Sequence, residues 1–568
     1  MKSYLSIASS YIWQVLIFSY KKILGLTPLQ NFLIIVKTMN IKFFGQRKSK
    51  KLTHFYIFLM KMDGQNFKNV FKTIISINHI FNDQFIIYLV GTKKLFTENP
   101  NQLLFDKSKK VEILSSFEEL FQKINLLKKN QSDDLLFTWI KPGDIYSNRS
   151  FEKLETALVE VKKGIIFYFD WITKEENETK YSPIYFPDFS KYLLFSINYL
   201  ENSFLIINKT DWNVLVDSIQ RFEENYIYGL IQNYSEYLIH IPEILCIRND
   251  YAYTPPTISQ VRELNNSVKS IRLEEKENHI FFNRKISKSS IIIPSCDNHD
   301  LLNKCINSIL MTSANEDYEI IILDNSHSAH QHEMNMALTR YEKVKIYQLS
   351  QNFNYSTYNN FGSQKAQGDN LIFMNDDIEV LDNDWMNEIL QWLDQPGVGI
   401  VGGCLTFPDY TIQHAGIIIG LIGHAGNLFR NHNLKIQYSP FGAINWYRNF
   451  YAVTGACLGI KKNLFEKVGG FNENYQLVYS DVALGIEVNN AGYDVIYNPF
   501  LQMIHYEGKT RRQNVVSQDF QLFEKEYKDL LIDGDKFYNK NLSYLSFDPK
   551  IKCSPELSPL SRIEKIRR

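Results

Sequence analysis

The sequence predicts an α/β protein built on largely parallel sheets, with one strand–helix plan used twice and helices ahead of the first copy. Three observations carry this. From Ser290 onward, short β-branched apolar runs alternate with amphipathic helical stretches, the pattern of a right-handed parallel sheet. A weaker version of the same alternation begins at Phe55. In the second copy the apolar runs stop at polar clusters, and ligands of open α/β sheets collect at such carboxyl ends.

The second copy opens with "SIIIPSCDNHDLLNKCINSIL". Its strand stops at Pro294, and a helix starts near His299 with Leu301, Leu302, Cys305, Ile306 and Ile309 at helical spacing. "YEIIILDNS" is the next strand, ending at Asp324, Asn325 and Ser326, and "KVKIYQLS" is a third. A helix around Tyr358 to Gln367 leads through Gly368 and Asp369 into "NLIFMNDD", a buried strand that ends in two adjacent carboxylates, Asp376 and Asp377. In the first copy, "FYIFLMKMDGQNFKNVFKTIISI" is strand, turn and helix, and "QFIIYLVG" is the next strand. "DLLFTWIKPGDIY" takes the place of the strand with the paired carboxylates, and "YLIHIPEIL" parallels "YDVIYNPFL" of the second copy.

These readings place α/β domains at 53–250 and 286–515. A helical segment at 1–52 precedes them, a helical linker at 251–285 joins them, and a C-terminal helix and tail occupy 516–568. The copies differ where chemistry would sit. Asp324 faces Leu89, Asn375-Asp376-Asp377 faces Lys141-Pro142-Gly143-Asp144, and "EILCIRND" has no counterpart of His505. The first copy therefore reads as structural and the second as the one that carries chemistry.

At 568 residues the chain exceeds a single core. Lys+Arg and Asp+Glu are both 62, so no global basic field argues for a nucleic-acid partner. The cysteines at 246, 296, 305, 404, 457 and 553 form no Cys-x-x-Cys pair, which fits neither a zinc knuckle nor a disulfide framework and suits the cytoplasm. Tyr4 to Tyr20 is an uncharged run at the short edge for a membrane span, with no small-residue cleavage site. With the basic "QRKSKK" beyond it, this region reads either as helices lying on the inner membrane surface or as ordinary packing helices. Neither a P-loop nor a Gly-x-Gly-x-x-Gly fingerprint is present.

Adjacent carboxylates at a strand end repel unless a cation or hydroxyl donor compensates. Magnesium and manganese prefer oxygen ligands and bridge carboxylates to substrate phosphates. The motifs "SIIIPSCDN", "YEIIILDNS", "GDNLIFMNDDIEVLDNDW", "TIQHAGIIIG", "AVTGACLGIKKNLFEKVGGFNENY" and "YSDVALGIEVNNAGYDV" resemble those of family 2 glycosyltransferases of the GT-A fold. The nearest type is the rhamnosyltransferase-like enzymes of bacterial O-antigen or capsule assembly. The first half resembles, more loosely, the GT-A-like module that precedes the catalytic one in some of these proteins.

The resemblance implies two tandem GT-A-type domains, the first degenerate. It also implies transfer of a sugar, with inversion, from a UDP- or dTDP-sugar to a glycan or lipid-linked glycan acceptor, with manganese or magnesium as cofactor. Asp324 would recognise the base and Asp376 the ribose. Asp377 and His505 would hold the metal, and Pro294, Asp297, Asn360, Lys509 and Arg511 would complete the donor side. Asp481 takes the place of the catalytic base, at a position where helix N-capping is the plainer role. His414, Gly455, Ala456 and Trp446 would line the acceptor side. The family's second acid falls at Ala483, with Glu487 further on, which keeps a catalytically impaired scaffold or sugar-nucleotide-binding protein as the alternative. A nucleotidyltransferase would need a Gly-rich phosphate loop that "PSCDNHD" lacks.

Overall fold

Seven consecutive buried residues, Ser289–Ser295, form the strand around which the second half of the molecule is organised. A computed structural model of the chain describes residues 54–62, 67–81, 84–91, 110–130, 134–161, 163–174, 181–249, 256–264, 271–274, 279–313, 316–350, 352–434, 439–506 and 517–567. The segment 1–52 and the pair Lys509 and Arg511 lie outside the described residues. The chain divides into two units, Met1–Phe186 with Leu200–Tyr253 and Pro187–Tyr199 with Thr254–Arg568.

In the second unit the sheet runs Val344–Gln348, Tyr318–Asp324, Ser289–Ser295, Asn370–Met374, Cys457–Lys461, Val398–Thr406, Asp494–His505, Ile378–Val380. The first four strands are parallel, Cys457–Lys461 opposes both its neighbours, Val398–Thr406 and Asp494–His505 run parallel, and Ile378–Val380 closes antiparallel. The central strands are near-continuous Ile, Leu and Phe because helices cover both faces. Ile292, Ile321, Leu323, Phe373, Ile400, Leu458 and Val495 form one core cluster with Phe465 and Phe471. Each such buried side chain contributes about 1.5–3 kcal/mol of transfer free energy.

In the first unit the order is Val111–Leu114, Phe85–Val90, Phe55–Lys61, Leu135–Trp139, Phe204–Ile206, Ile166–Lys174, Leu238–Asn249, Ile145–Tyr146. Its strand directions, step by step, are those of the second unit. Each sheet also carries an extra antiparallel strand at the equivalent place, Tyr181–Ile184 in the first and Ile412–His414 in the second, and the second sheet adds Arg448–Phe450 antiparallel to Asp494–His505.

Two stretches differ from the sequence expectation. Among the described residues the linker is helical over Ile258–Leu264, and Ile271–Glu274 and His279–Phe282 then pair as an antiparallel hairpin. The charge run suggested a helix, but the β-forming "HIFF" pattern prevails because alternate residues pack inward. Phe282 lies edge-on to Trp392 at 4.8 Å, and the Phe282 N–H donates to Gln391 Oε1 at 2.7 Å. The C-terminal stretch is packed as well as helical. Phe523, Leu531, Leu560 and Ile563 join a cluster with Ile417, Ile419, Ala452, Val482, Ala483 and Ile486.

Candidate functional site

The paired carboxylates are delivered by strand pairing. Asn370–Met374 is wholly buried, the chain turns at Asp376 and Asp377, and Ile378 pairs with His505 at the end of Asp494–His505. Asp377, immediately before Ile378, is thereby set beside the imidazole. A bulge fixes this register: pairing steps from Gly403 with Asn498 to Cys404 with Gln502. Only glycine fits there, because a Cβ on residue 403 would lie 2.1 Å from the Leu501 carbonyl oxygen.

Asp377 Oδ1 and His505 Nε2 are 3.0 Å apart, and both side chains are buried. Asn375 Nδ2 faces the same imidazole nitrogen at 3.4 Å and donates to it in the tautomer that leaves Nε2 unprotonated. Among the described residues Asp377 Oδ1 accepts no hydrogen bond. In that tautomer two buried lone-pair atoms face each other, an arrangement a cation resolves. The 3.0 Å edge also matches adjacent ligands of an octahedral ion bound at about 2.1 Å. The residues fit a divalent metal. Asp376 accepts from Ser295 Oγ at 2.8 Å. Burial, with Asp377 adding to it, pushes its carboxyl up to about 7.

Asp481 stands in the first turn of the helix Ser480–Asn490, after Tyr479 in the left-handed region at φ 65°. A carboxylate at a helix N-terminus is favoured in its charged form. Its Oδ2 accepts from the Gly455 N–H at 2.7 Å, and its Oδ1 from the Val482 N–H at 2.9 Å. The Ala456 carbonyl in turn accepts from the Asn375 N–H at 3.0 Å, so one short turn links Asp481 to the carboxylate pair. Tyr355 Oη donates to the Gly455 carbonyl at 2.9 Å. Asp519, fully buried on the helix Ser517–Glu526, accepts from the N–H groups of Gln476, Leu477 and Val478 at 2.9–3.1 Å and holds the approach to that helix. Sequence reading missed Asp519; its only signal was an Asp beside an apolar helical face.

Other expected site residues have different surroundings. Asp324 is fully buried, and both its oxygens are taken: by Ser326 Oγ at 2.6 Å and Asn335 Nδ2 at 3.0 Å, and by His332 Nδ1 at 2.6 Å. It is a saturated strand-end cap here, not an open acceptor for a base. Pro294 is a buried strand residue paired with Leu323. Asn360 bonds the Phe471 backbone in both directions at 2.9 Å and Glu473 Oε1 at 2.9 Å, so it locks a loop. His414 is fully buried. Its Nδ1 faces Asn427 Oδ1 at 2.7 Å, and its Nε2 accepts from the Gly416 and Thr454 N–H groups at 3.3 Å. It supports the Gly455 turn from beneath and presents nothing to an acceptor. Burial, with His505 adding to it, lowers its pKa to about 4. Trp446 is buried against the Arg448 guanidinium, 5.2 Å from its ring, and offers no stacking face. Ala483 is buried in the cluster beneath the C-terminal helices, where a second acid would be desolvated; Glu487 is exposed and takes a hydrogen bond from Tyr527 Oη at 3.2 Å.

In the first unit, Asp144 immediately precedes Ile145, which pairs with Ile247, so Asp144 holds the register position of Asp377. There Arg248 approaches instead of a histidine. Its Nε lies 3.8 Å from Asp144 Oδ1 and its Nη1 2.6 Å from Glu201 Oε2, while Lys141 Nζ reaches Glu201 Oε1 at 2.6 Å. Burial opposes ionisation of Glu201, yet Arg248 and Lys141 hold it down to about 2.

Residues 290–469 match the profile of glycosyl transferase family 2, and this segment is a family 2 glycosyltransferase domain. The chain is 34% identical over 277 residues to the O-antigen biosynthesis protein RfbC of Myxococcus xanthus, covering 48% of this chain and 22% of that one. It is 28% identical over 89 residues to N-acetylglucosaminyl-diphospho-decaprenol L-rhamnosyltransferase of Mycobacterium tuberculosis, covering 16% and 26% respectively. The chain thus spans about a quarter of the length of these curated relatives. Among solved structures, GalNAc-T7 with UDP, GalNAc and Mn2+ aligns with a TM-score of 0.37 at 15% identity, over 53% of this chain and 57% of that one. Among the described residues no helix is long and apolar enough to cross a membrane.

Proposed function

We propose that this protein is an inverting, metal-dependent glycosyltransferase of bacterial surface-polysaccharide assembly. It moves a sugar from a nucleotide-sugar donor, UDP- or dTDP-linked, to a glycan or lipid-linked glycan acceptor at the cytoplasmic face of the membrane. The observation that carries the reading is the buried Asp377–His505 pair with its unshared lone pairs. The relatives named for O-antigen biosynthesis and rhamnosyl transfer supply the polysaccharide context.

Manganese or magnesium held by Asp377 and His505 would supply positive charge to the leaving diphosphate. The chain's own groups do the rest. Asp376, steadied by Ser295, orients the ribose. Asp481 takes the proton of the acceptor hydroxyl as that oxygen attacks the anomeric carbon, and the Gly455 N–H keeps the carboxylate aimed. Lys509 and Arg511 follow His505 closely enough in sequence to meet the diphosphate. The burial of Ala483 accounts for the missing second acid by packing and lends no weight to a loss of activity.

The first unit is read as a degenerate copy of the same plan. Its identical strand order supports duplication, and Arg248 beside Asp144 supports the loss of a metal site, because a fixed guanidinium already supplies the positive charge.

A thermal-shift panel of UDP-, dTDP- and GDP-sugars with and without Mn2+, run on wild type and Asp377→Asn, tests the reading. One sugar nucleotide is expected to raise Tm only with Mn2+ and only in wild type, since ligand binding to the folded state must stabilise it. No shift with any of them overturns the proposal.

A further inference from the structure

Strands Ser289–Ser295 and Tyr318–Asp324 pair in register to their ends, Ser295 opposite Asp324. The loops beyond them therefore emerge side by side. Asp297 adopts the left-handed conformation at φ 48°, and Cys296, Asp297 and His327 converge. Cys296 Sγ lies 3.6 Å from His327 Nδ1 and 4.0 Å from Asp297 Oδ2, and Nδ1 and Oδ2 are 3.0 Å apart.

We infer that Cys296, Asp297 and His327 form a binding site for a zinc-class transition-metal ion, separate from the Asp377–His505 site. The point equidistant from the three ligand atoms lies about 2.1 Å from each, within the range of zinc–nitrogen, zinc–oxygen and zinc–sulfur bonds, about 2.0–2.3 Å. Three protein ligands around one face leave a position open to solvent. The donor set excludes magnesium and manganese as natural occupants, because a thiolate selects zinc-like ions whereas hard dications take oxygen.

The site is also braced. Asp297 Oδ1 accepts from the His327 N–H at 2.9 Å and the Ser328 N–H at 3.3 Å, which turns Oδ2 toward the thiol and the imidazole. The thiol is within 3.4 Å of the Asn325 carbonyl oxygen, which takes its proton in a hydrogen bond until a metal displaces it. The sequence showed none of this, because the ligands come from two loops that only the sheet register joins.

Cobalt titration of the full chain in excess Mg2+ tests the site without any nucleotide sugar, so its failure is distinct from failure of the glycosyltransferase reading. One equivalent of Co2+ is expected to give a thiolate-to-cobalt charge-transfer band that Zn2+ abolishes. The band is expected to vanish in Cys296→Ser, to weaken at least tenfold in affinity in His327→Ala, and to persist in Asp377→Asn and in Cys553→Ser, which removes the exposed thiol. Alkylation read by mass spectrometry gives the second measure: Zn2+ is expected to protect Cys296 and to leave Cys553 reactive. No band, a band that survives in Cys296→Ser, or unprotected Cys296 would overturn the assignment.

Discussion

Replacing Arg248 by Met removes the cation that stands at the first unit's counterpart of the proposed metal position. Arg248 is 3% exposed, and it is bonded to Glu201 and close to Asp144, which is 1% exposed. Met preserves most of the stem, so the loss is one of charge and hydrogen bonding. Breaking one partner of a buried ion pair costs about 3–5 kcal/mol, because the remaining charge is left uncompensated. The titration of Glu201 gives a comparable figure. Held at about 2 instead of its ordinary 4.5, it contributes about 3 kcal/mol at neutral pH, part of it through Lys141. Urea-dependent hydrogen exchange along Leu238–Asn249 reports this unit by itself. The expected loss there is about 3 kcal/mol, falling to about 1 kcal/mol or less in an Asp144→Asn, Glu201→Gln background, where no carboxylate remains to be stranded. A loss below about 1 kcal/mol in the wild-type background, or an equal loss in both, refutes the reading that an internal guanidinium neutralises this site.

At the second unit's site, Asp377→Asn is expected to abolish Mn2+ binding by calorimetry, and Asp481→Asn to leave Mn2+ binding intact while lowering transfer at least a hundredfold, about 3 kcal/mol of barrier; Asp144→Asn changes transfer little. His414 is neutral in the fold, with its pKa lowered to about 4 against an ordinary 6.5. Between those values the unfolded chain binds the extra proton, so this contribution to stability is complete above pH 6.5 and is lost as pH falls toward 4. The loss amounts to about 3 kcal/mol and should shrink in His414→Gln in acid denaturation. Gly485→Ala places a Cβ 2.3 Å from the Tyr451 carbonyl oxygen and 2.9 Å from Ala452 Cα, which are backbone atoms that cannot rotate away. The helix that carries Asp481 must shift outward, so a Tm decrease equivalent to about 1–3 kcal/mol is expected together with reduced transfer.

What the sequence disclosed, and what it hid, follows from which side chains owe their place to their own strand. Asp376, Asp377 and His505 each terminate an apolar run, so their position at the sheet's edge could be read from the run itself. Their convergence needed only the pairing of Ile378 with His505. Asp324 also ends a strand, but its availability is decided elsewhere. His332 and Asn335 lie one turn apart on the helix Ala329–Met336, with too few apolar neighbours to mark which face turns inward, and that face closes on the carboxylate. The burial of His414 and Trp446 is hidden from the sequence for a related reason. A polar tip on a short strand or loop does not announce its burial, and both are covered by elements distant in sequence. The C-terminal stretch had aromatic residues without periodicity, so its packing beneath the Asp481 helix was invisible, although Phe523, Leu531 and Asp519 hold that helix and the loop before it. The supporting shell thus comes from non-local contacts. Mutations in the C-terminal segment should therefore perturb Asp481 before they unfold the sheet, because the strands that carry Asp377 and His505 belong to a core whose cluster contains no residue of that segment.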